Sequence, residues 1–341
     1  MKNFINSQII KNTGIINIDR PQSLNALNIK MIEEIKNSLA KWKSNYDIKK
    51  IIIKSKNKSF CAGGDIKAIS LEDKNSILRK NFFKSEYELN YIIKSFPKPI
   101  ISIWNGIVMG GGVGISIYGK YRVTTEKTRF AMPESAIGFF PDVGSSYVLS
   151  RLDNSIGLYI GLTGILLNSY EIYNLNLANY FIYEKNINKF IEDFIIKDSL
   201  PKKFFDDPPF NESEIFNNLK LIKKHFSSFD IENIFHSLKS DQSIFANKTL
   251  QHLLNRCPAS LAITCGIFKR ARNMKFKDCL KMDFYFSQLM INRKDFTNGV
   301  KEVLINKKTN YKWDPDSVRN INIKFEKYFK FDKDNLKLDF E

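Results

Sequence analysis

Two glycine turns, each following a short apolar run, constrain this chain more than any other feature. Ile51-Ile52-Ile53 leads into Cys61-Ala62-Gly63-Gly64-Asp65, and Ile100-Ile101-Ser102-Ile103-Trp104 leads into Met109-Gly110-Gly111-Gly112-Val113-Gly114. Apolar runs of this length read as buried strands. The glycines that follow let the backbone turn sharply and approach a neighbour or a ligand closely. Gly14-Ile15-Ile16-Asn17-Ile18 is a third strand, and a strand-like pattern begins by about Gln8. Ile29, Ile32, Ile35, Leu39 and Trp42 recur at roughly helical spacing. A mostly helical segment over about 72–95 ends before Pro97 and Pro99, and a helix is expected from about Gly111 to Tyr118. Tyr121-Arg122-Val123-Thr124 and Arg129-Phe130-Ala131 are short strands. This alternation predicts an α/β fold with helices packed on sheets.

Past about residue 185 the pattern changes: charged residues and phenylalanines mix at helical spacing, with few glycines. Pro258 opens a helix, since proline fits the first helical position, and Ala262, Cys265 and Phe268 line one side of it. Met282, Tyr285, Phe286 and Leu289 mark another. The expected organisation is therefore a catalytic core over 1–195 and a helical region over 196–341 that packs on it.

Length and composition exclude several classes. A chain of 341 residues, 43% hydrophobic and 26% charged, buries a real core and is not disordered. No stretch approaches the roughly 18 uninterrupted apolar residues of a membrane span. The net charge of +17 comes from lysines spread along the chain, without an RNA-recognition signature. It reads as solvated surface rather than a nucleic-acid site. Cys61, Cys257, Cys265 and Cys279 form no Cys-x-x-Cys pair or metal spacing, which suits a reducing compartment. The start of the chain shows no signal-peptide pattern. A cytoplasmic location is expected, with the mitochondrial matrix as the alternative for a eukaryotic source.

The chemistry-bearing residues are two carboxylates in an apolar, Gly- and Pro-punctuated stretch. Glu134 and Asp142 lie in Phe130-Ala131-Met132-Pro133-Glu134-Ser135-Ala136-Ile137-Gly138-Phe139-Phe140-Pro141-Asp142-Val143-Gly144. A carboxyl group buried in such surroundings has its pKa raised towards the range useful for proton transfer or nucleophilic attack. Free N–H groups from the two glycine turns would form an oxyanion hole, Gly111 lying near a helix start. Taken singly, each turn fits a tight packing turn equally well. Other signatures fail. Gly114-Ile115-Ser116-Ile117-Tyr118-Gly119-Lys120-Tyr121 ends in tyrosine where a phosphate-binding loop needs Ser or Thr. No Gly-x-Ser-x-Gly elbow is present, and His225, His236 and His252 lie far along the chain from the turns.

Taken together, Gly63-Gly64-Asp65-Ile66, Gly106 with Met109-Gly110-Gly111-Gly112, and Phe130-Ala131-Met132-Pro133-Glu134 resemble the enoyl-CoA hydratase/isomerase (crotonase) superfamily. Asn25-Ala26-Leu27, Glu86-Tyr87, Phe140-Pro141-Asp142-Val143-Gly144, Gly161-Leu162-Thr163-Gly164, Pro258-Ala259-Ser260-Leu261, Asp295-Phe296 and Lys312-Trp313 narrow the resemblance to its 3-hydroxyisobutyryl-CoA hydrolase family. It covers about residues 14–313. It implies the crotonase (ClpP-like) fold, a ββα-repeat spiral core with a C-terminal helical region. It places oxyanion donors at the Gly64 and Gly111 amides, the principal catalytic carboxylate at Glu134 and the hydrolase's second acid at Asp142. Glu86 falls on a position that contacts the acyl end, and Ala62 joins the substrate-binding set.

The resemblance further implies a small acyl-CoA substrate, with coenzyme A part of that substrate, no separate cofactor and no metal. No nucleic-acid or membrane partner is expected, and self-association is left open. One departure separates reactions: hydratases carry a second glutamate where this chain has Gly114, so hydrolysis is favoured over hydration. A second departure, Gly144-Ser145-Ser146 in place of a run of glycines, predicts a stiffer loop after Asp142. An enoyl-CoA hydratase or isomerase on the same fold is the alternative, followed by an RNA-binding relative.

Overall fold

The computed structural model describes residues 3–74, 76–197, 199–307, 312–319, 321–330 and 338–340. They fall into two units, one of Met1–Asp65, Glu88–Ala131 and Leu166–Ser213, the other of Ile66–Tyr87, Met132–Ile165 and Glu214–Glu341.

The first unit holds every named strand among the described residues: β1 (Ile5–Ile10), β2 (Thr13–Ile18), β3 (Lys50–Ser55), β4 (Ile100–Trp104), β5 (Ile107–Met109), β6 (Tyr121–Thr124), β7 (Arg129–Ala131) and β8 (Tyr180–Phe181). Six form a sheet in the order β1-β2-β3-β4-β6-β8. β1 runs antiparallel to β2, and every other pairing in that sheet is parallel. Parallel neighbours need long crossovers. The helix Ile29–Lys43, capped by Asn28 whose side chain accepts from the Met31 amide at 2.9 Å, connects β2 to β3. The expected isoleucine runs fill the core: Ile15, Ile52, Ile101, Ile103 and Val123 pack with Ile182, Phe190 and Phe194. Each such burial stabilises by roughly 1.5–3 kcal/mol.

β5 and β7 make a second, parallel sheet, in register Val108↔Phe130 and Met109↔Ala131. Cys61 bridges to Val108 on its other side. β5 carries the chain into the second glycine turn, and the Cys61 bridge sits at the entrance to the first. The helix after the second turn covers only Gly111–Gly114, not the expected 111–118. Glycine's low helix propensity lets it unwind into turns at once. β1 begins at Ile5, earlier than its pattern suggests, because it is an edge strand exposed beyond that residue and shows no alternation.

The second unit has no named strand among the described residues. Pro258 does open a helix, Pro258–Ala271, with Ala262, Cys265 and Phe268 buried. Met282 and Phe286 are buried on the helix Phe276–Ile291. Among the described residues no helix is long and apolar enough to cross a membrane.

Candidate active site

In the first unit the two glycine turns lie against each other. A Cβ on Gly112 would sit 2.3 Å from the Cys61 carbonyl oxygen, so only glycine permits this approach. Gly63 has φ +113°, a conformation other residues rarely adopt, and its Cβ position lies 3.8 Å from the Gly111 nitrogen. The Leu27 amide donates to the Gly63 carbonyl at 2.8 Å, and the Asp65 amide donates to Leu27 at 2.7 Å. In a parallel bridge these bonds belong to the residues flanking Gly64, so the Gly64 N–H is directed away from Leu27. Gly111 is the first residue of its short helix, where the N–H has no intrahelical partner, and no side chain caps it. Ala62, half-buried, is held by its amide donating to Leu24 at 3.0 Å.

The Asn25-Ala26-Leu27 phrase has a structural explanation. The Asn25 side chain donates to the Ser59 and Phe60 carbonyls at 2.6 and 3.2 Å and accepts from the Arg20 amide at 2.7 Å. Arg20 in turn pairs with Asp65 at 2.7 Å, fixing both ends of the first turn.

The second unit holds the acids. Glu86, Glu134, Asp142 and Asp283 are 2%, 8%, 5% and 0% exposed, so none can shed its charge into water. Phe83 and Phe284 pack on the Tyr87 ring, and Phe139 is stacked on Phe83 at 5.3 Å and on Phe140 at 4.7 Å, all of them buried. Burial raises the Glu134 carboxyl well above its usual range, and the charges of Asp142 and Glu86 add to this. Glu86 is raised likewise, by burial and then by Asp142. Asp142 is raised to about 7 by burial, against the opposing pull of a Tyr87 hydrogen bond and a backbone one. The Tyr87 hydroxyl donates to Asp142 Oδ2 at 2.6 Å. Asp142 is thus lifted only to about neutrality, where it can both hold and release a proton.

Local backbone geometry sets these side chains. Glu134 opens a one-turn 3₁₀ helix, Glu134–Ile137, closed by Gly138 in the left-handed region. The Ser135 carbonyl accepts from the Cys257 amide at 3.0 Å, and the Ser135 hydroxyl donates to Leu162 at 3.1 Å. Immediately after Asp142, Val143 has φ +53° and Gly144 φ +71°. For a β-branched residue that conformation costs about 1–2 kcal/mol. The Gly144 amide donates to Asp283 Oδ2 at 2.7 Å, and the helix Ser145–Leu149 begins there. The Ser145 and Ser146 hydroxyls, standing where the resemblance calls for glycines, are buried without a hydrogen-bond partner among the described residues. The same holds for Glu86 Oε1, Glu134 Oε2 and Asp283 Oδ1.

Of the residues singled out in the sequence, Gly64, Gly111 and Ala62 therefore meet in the first unit, and Glu86, Glu134 and Asp142 meet in the second. Tyr87 and Asp283 were missed as members of the acid group. Tyr87 stood in a quoted phrase next to Glu86. Asp283 left one signal, an acid between Met282 and Phe284 on the apolar face of its helix. Among the described residues no group of three or more His, Cys, Asp or Glu side chains could hold a metal ion.

The enoyl-CoA hydratase/isomerase family model matches residues 13–329. The mitochondrial 3-hydroxyisobutyryl-CoA hydrolase of Xenopus laevis is 39% identical over 90% of this chain and 83% of its own length. The human protein of that name is 36% identical over 91% of this chain and 83% of its own. Among solved structures, a carnitinyl-CoA dehydratase from Mycobacterium thermoresistibile is 28% identical and superposes with a TM-score of 0.92, covering 100% of this chain and 99% of that one. With the paired glycine turns and the buried acids already in place, these matches show that the chain belongs to the enoyl-CoA hydratase/isomerase family and has its crotonase fold.

Proposed function

We propose that the protein hydrolyses the thioester of a short β-hydroxyacyl-CoA, 3-hydroxyisobutyryl-CoA first among candidates, to the free acid and coenzyme A. The observation that carries this reading is the buried group of Glu86, Glu134 and Asp142, in which burial first and Asp142 second raise the Glu134 carboxyl. A hydratase's second glutamate has no counterpart, since its position is Gly114, buried and without a side chain. The names of the curated relatives point to the same hydrolysis.

In the proposed reaction the thioester oxygen accepts hydrogen bonds from the Gly64 and Gly111 amides. Each such donor contributes a few kcal/mol as negative charge develops on that oxygen. Glu134, its own proton handed to the ionised Asp142, acts either by direct attack on the carbonyl carbon to give a mixed anhydride or by drawing a proton from the attacking water. The C–S bond breaks, the sulfur leaves with a proton, and water's oxygen ends in the acid product. Asp142, ionising near neutrality, takes up and returns that proton. Glu86 lies at the acyl end. Coenzyme A enters as part of the substrate, and the reaction as written needs no further cofactor or metal.

The test is thiol release from 3-hydroxyisobutyryl-, 3-hydroxypropionyl- and crotonyl-CoA. Release from the two hydroxyacyl esters, fastest for the branched one, is expected. Consumption of crotonyl-CoA without free thiol would instead establish a hydratase, the reading that likeness to a dehydratase structure favours. The relatives are named as mitochondrial, which makes the matrix the compartment to test first, by imaging the tagged protein.

A further inference from the structure

We propose that Asp283 is a positioning residue for this hydrolysis: its carboxyl clamps the left-handed Val143–Gly144 turn through the Gly144 amide and thereby aims Asp142 at Tyr87 and at the substrate. The inference rests on the hydrolase reading only for its effect on turnover. Three observations carry it. Asp283 is fully buried on the helix Phe276–Ile291 and reaches back 139 residues to the Gly144 amide, at 2.7 Å. Val143 holds φ +53° next to it, a conformation a β-branched residue keeps only where its surroundings enforce it. Asp142, one residue before, accepts the Tyr87 hydroxyl at 2.6 Å, so a relaxed turn would pull that carboxyl off its donor.

An amide N–H can only donate, so what the turn requires from position 283 is an acceptor, not a charge. Burial, and then the nearby Asp142, push the Asp283 carboxyl well above its ordinary range. The Gly144 amide opposes that rise, and a carboxyl oxygen accepts its bond in either protonation state. The titratable groups facing Asp142 are Glu86 and Tyr87 from the helix Ile77–Ser95, Glu134 from its one-turn helix, and Asp283.

Asp283→Leu removes the acceptor at nearly constant shape, and Asp283→Asn keeps an acceptor without the acid. For Asp283→Leu, kcat should fall at least about thirtyfold with KM little changed, as for loss of orientation at the reacting group. The Asp142 titration midpoint, followed by carbon-13 carboxyl resonances assigned with Asp142→Asn, should rise by about one unit as the Tyr87 hydrogen bond is lost. Asp283→Asn should recover most of the lost kcat and the original midpoint. A purely structural role would lower thermal stability without moving that midpoint. Wild-type kcat and midpoint in Asp283→Leu would overturn the proposal, as would equal damage in Asp283→Asn. If the leucine variant does not fold, hydrogen exchange of the Gly144 amide decides. Slow exchange in both wild type and Asp283→Asn supports the clamp, and fast exchange in either refutes it. If no acyl-CoA releases thiol, the hydrolase reading fails, while the midpoint and the exchange rate still judge the clamp.

Discussion

Asp142→Asn should stabilise the protein at alkaline pH while removing most of its turnover. Unperturbed, the carboxyl titrates at 3.8; in the folded chain burial lifts it to about 7. Because the folded value is the higher one, the unfolded chain releases its proton first. The contribution of the protonated folded form is complete below 3.8, declines as pH rises, and is gone above 7. A displacement of about 3 units at 1.36 kcal/mol each corresponds to about 4 kcal/mol lost across that window. Asparagine has no proton to lose, is nearly the same shape, and can still accept the Tyr87 hydroxyl. The variant should gain about 1 kcal/mol over wild type at pH 4.5 and up to about 4 kcal/mol at pH 8. An unfolding entropy of about 2 cal/mol/K per residue over 341 residues turns the larger figure into a rise in Tm of about 6 °C. Loss of the Asp142 charge adds to this gain, because that charge also helps to raise the Glu86, Glu134 and Asp283 carboxyls. Calorimetric melts of both proteins between pH 4.5 and 8.5, with thiol release measured in parallel, provide the assay. A Tm difference independent of pH, or a variant less stable than wild type at pH 8, would refute the argument that burial of this acid opposes folding.

Three further outcomes are expected. Glu134→Gln should lose at least about a hundredfold in turnover, the scale usual for a positioned acid–base group, and near-normal hydrolysis would sink the mechanism. Gly112→Ala forces a Cβ to within 2.3 Å of the Cys61 carbonyl. It should lower stability by about 1–3 kcal/mol and, by moving the Gly111 amide, cut kcat about a hundredfold; melts and turnover both matching wild type would contradict this. Tyr87→Phe removes the hydrogen bond that holds the Asp142 pKa down, so the acid limb of the pH–rate profile should move to higher pH. Activity at pH 6.5 should therefore suffer more than at pH 9, and an unmoved limb would mean that Asp142 is not the group titrating there.

What the sequence disclosed and what it withheld follow from the range of the interactions involved. β2, β3 and β4 were legible because strands buried on both faces leave unbroken isoleucine runs. Glu134 and Asp142 were legible because an acid inside an apolar, glycine-rich stretch is conspicuous by itself. β5 and β8 span three and two residues, too short to show a period. The change of composition past about residue 185 is a local property, whereas the two units are assembled from segments that alternate along the chain, and no window of sequence records that.

Asp283 is the sharper case. Its meaning depends on a turn 139 residues away that it accepts a hydrogen bond from, so along the sequence it looks like one polar residue in an apolar helix face. Tyr87 is similar, since beside Glu86 it reads as part of a helix and only the fold turns its hydroxyl onto Asp142. The proton-transfer chemistry proposed for Asp142 thus depends on two groups of opposite effect. Burial lifts the acid towards neutrality, and the Tyr87 hydroxyl, together with a backbone hydrogen bond, holds the rise at about 7. Without the second, the first would push Asp142 above neutrality, and the group would lose the proton acceptor that the proposed reaction uses.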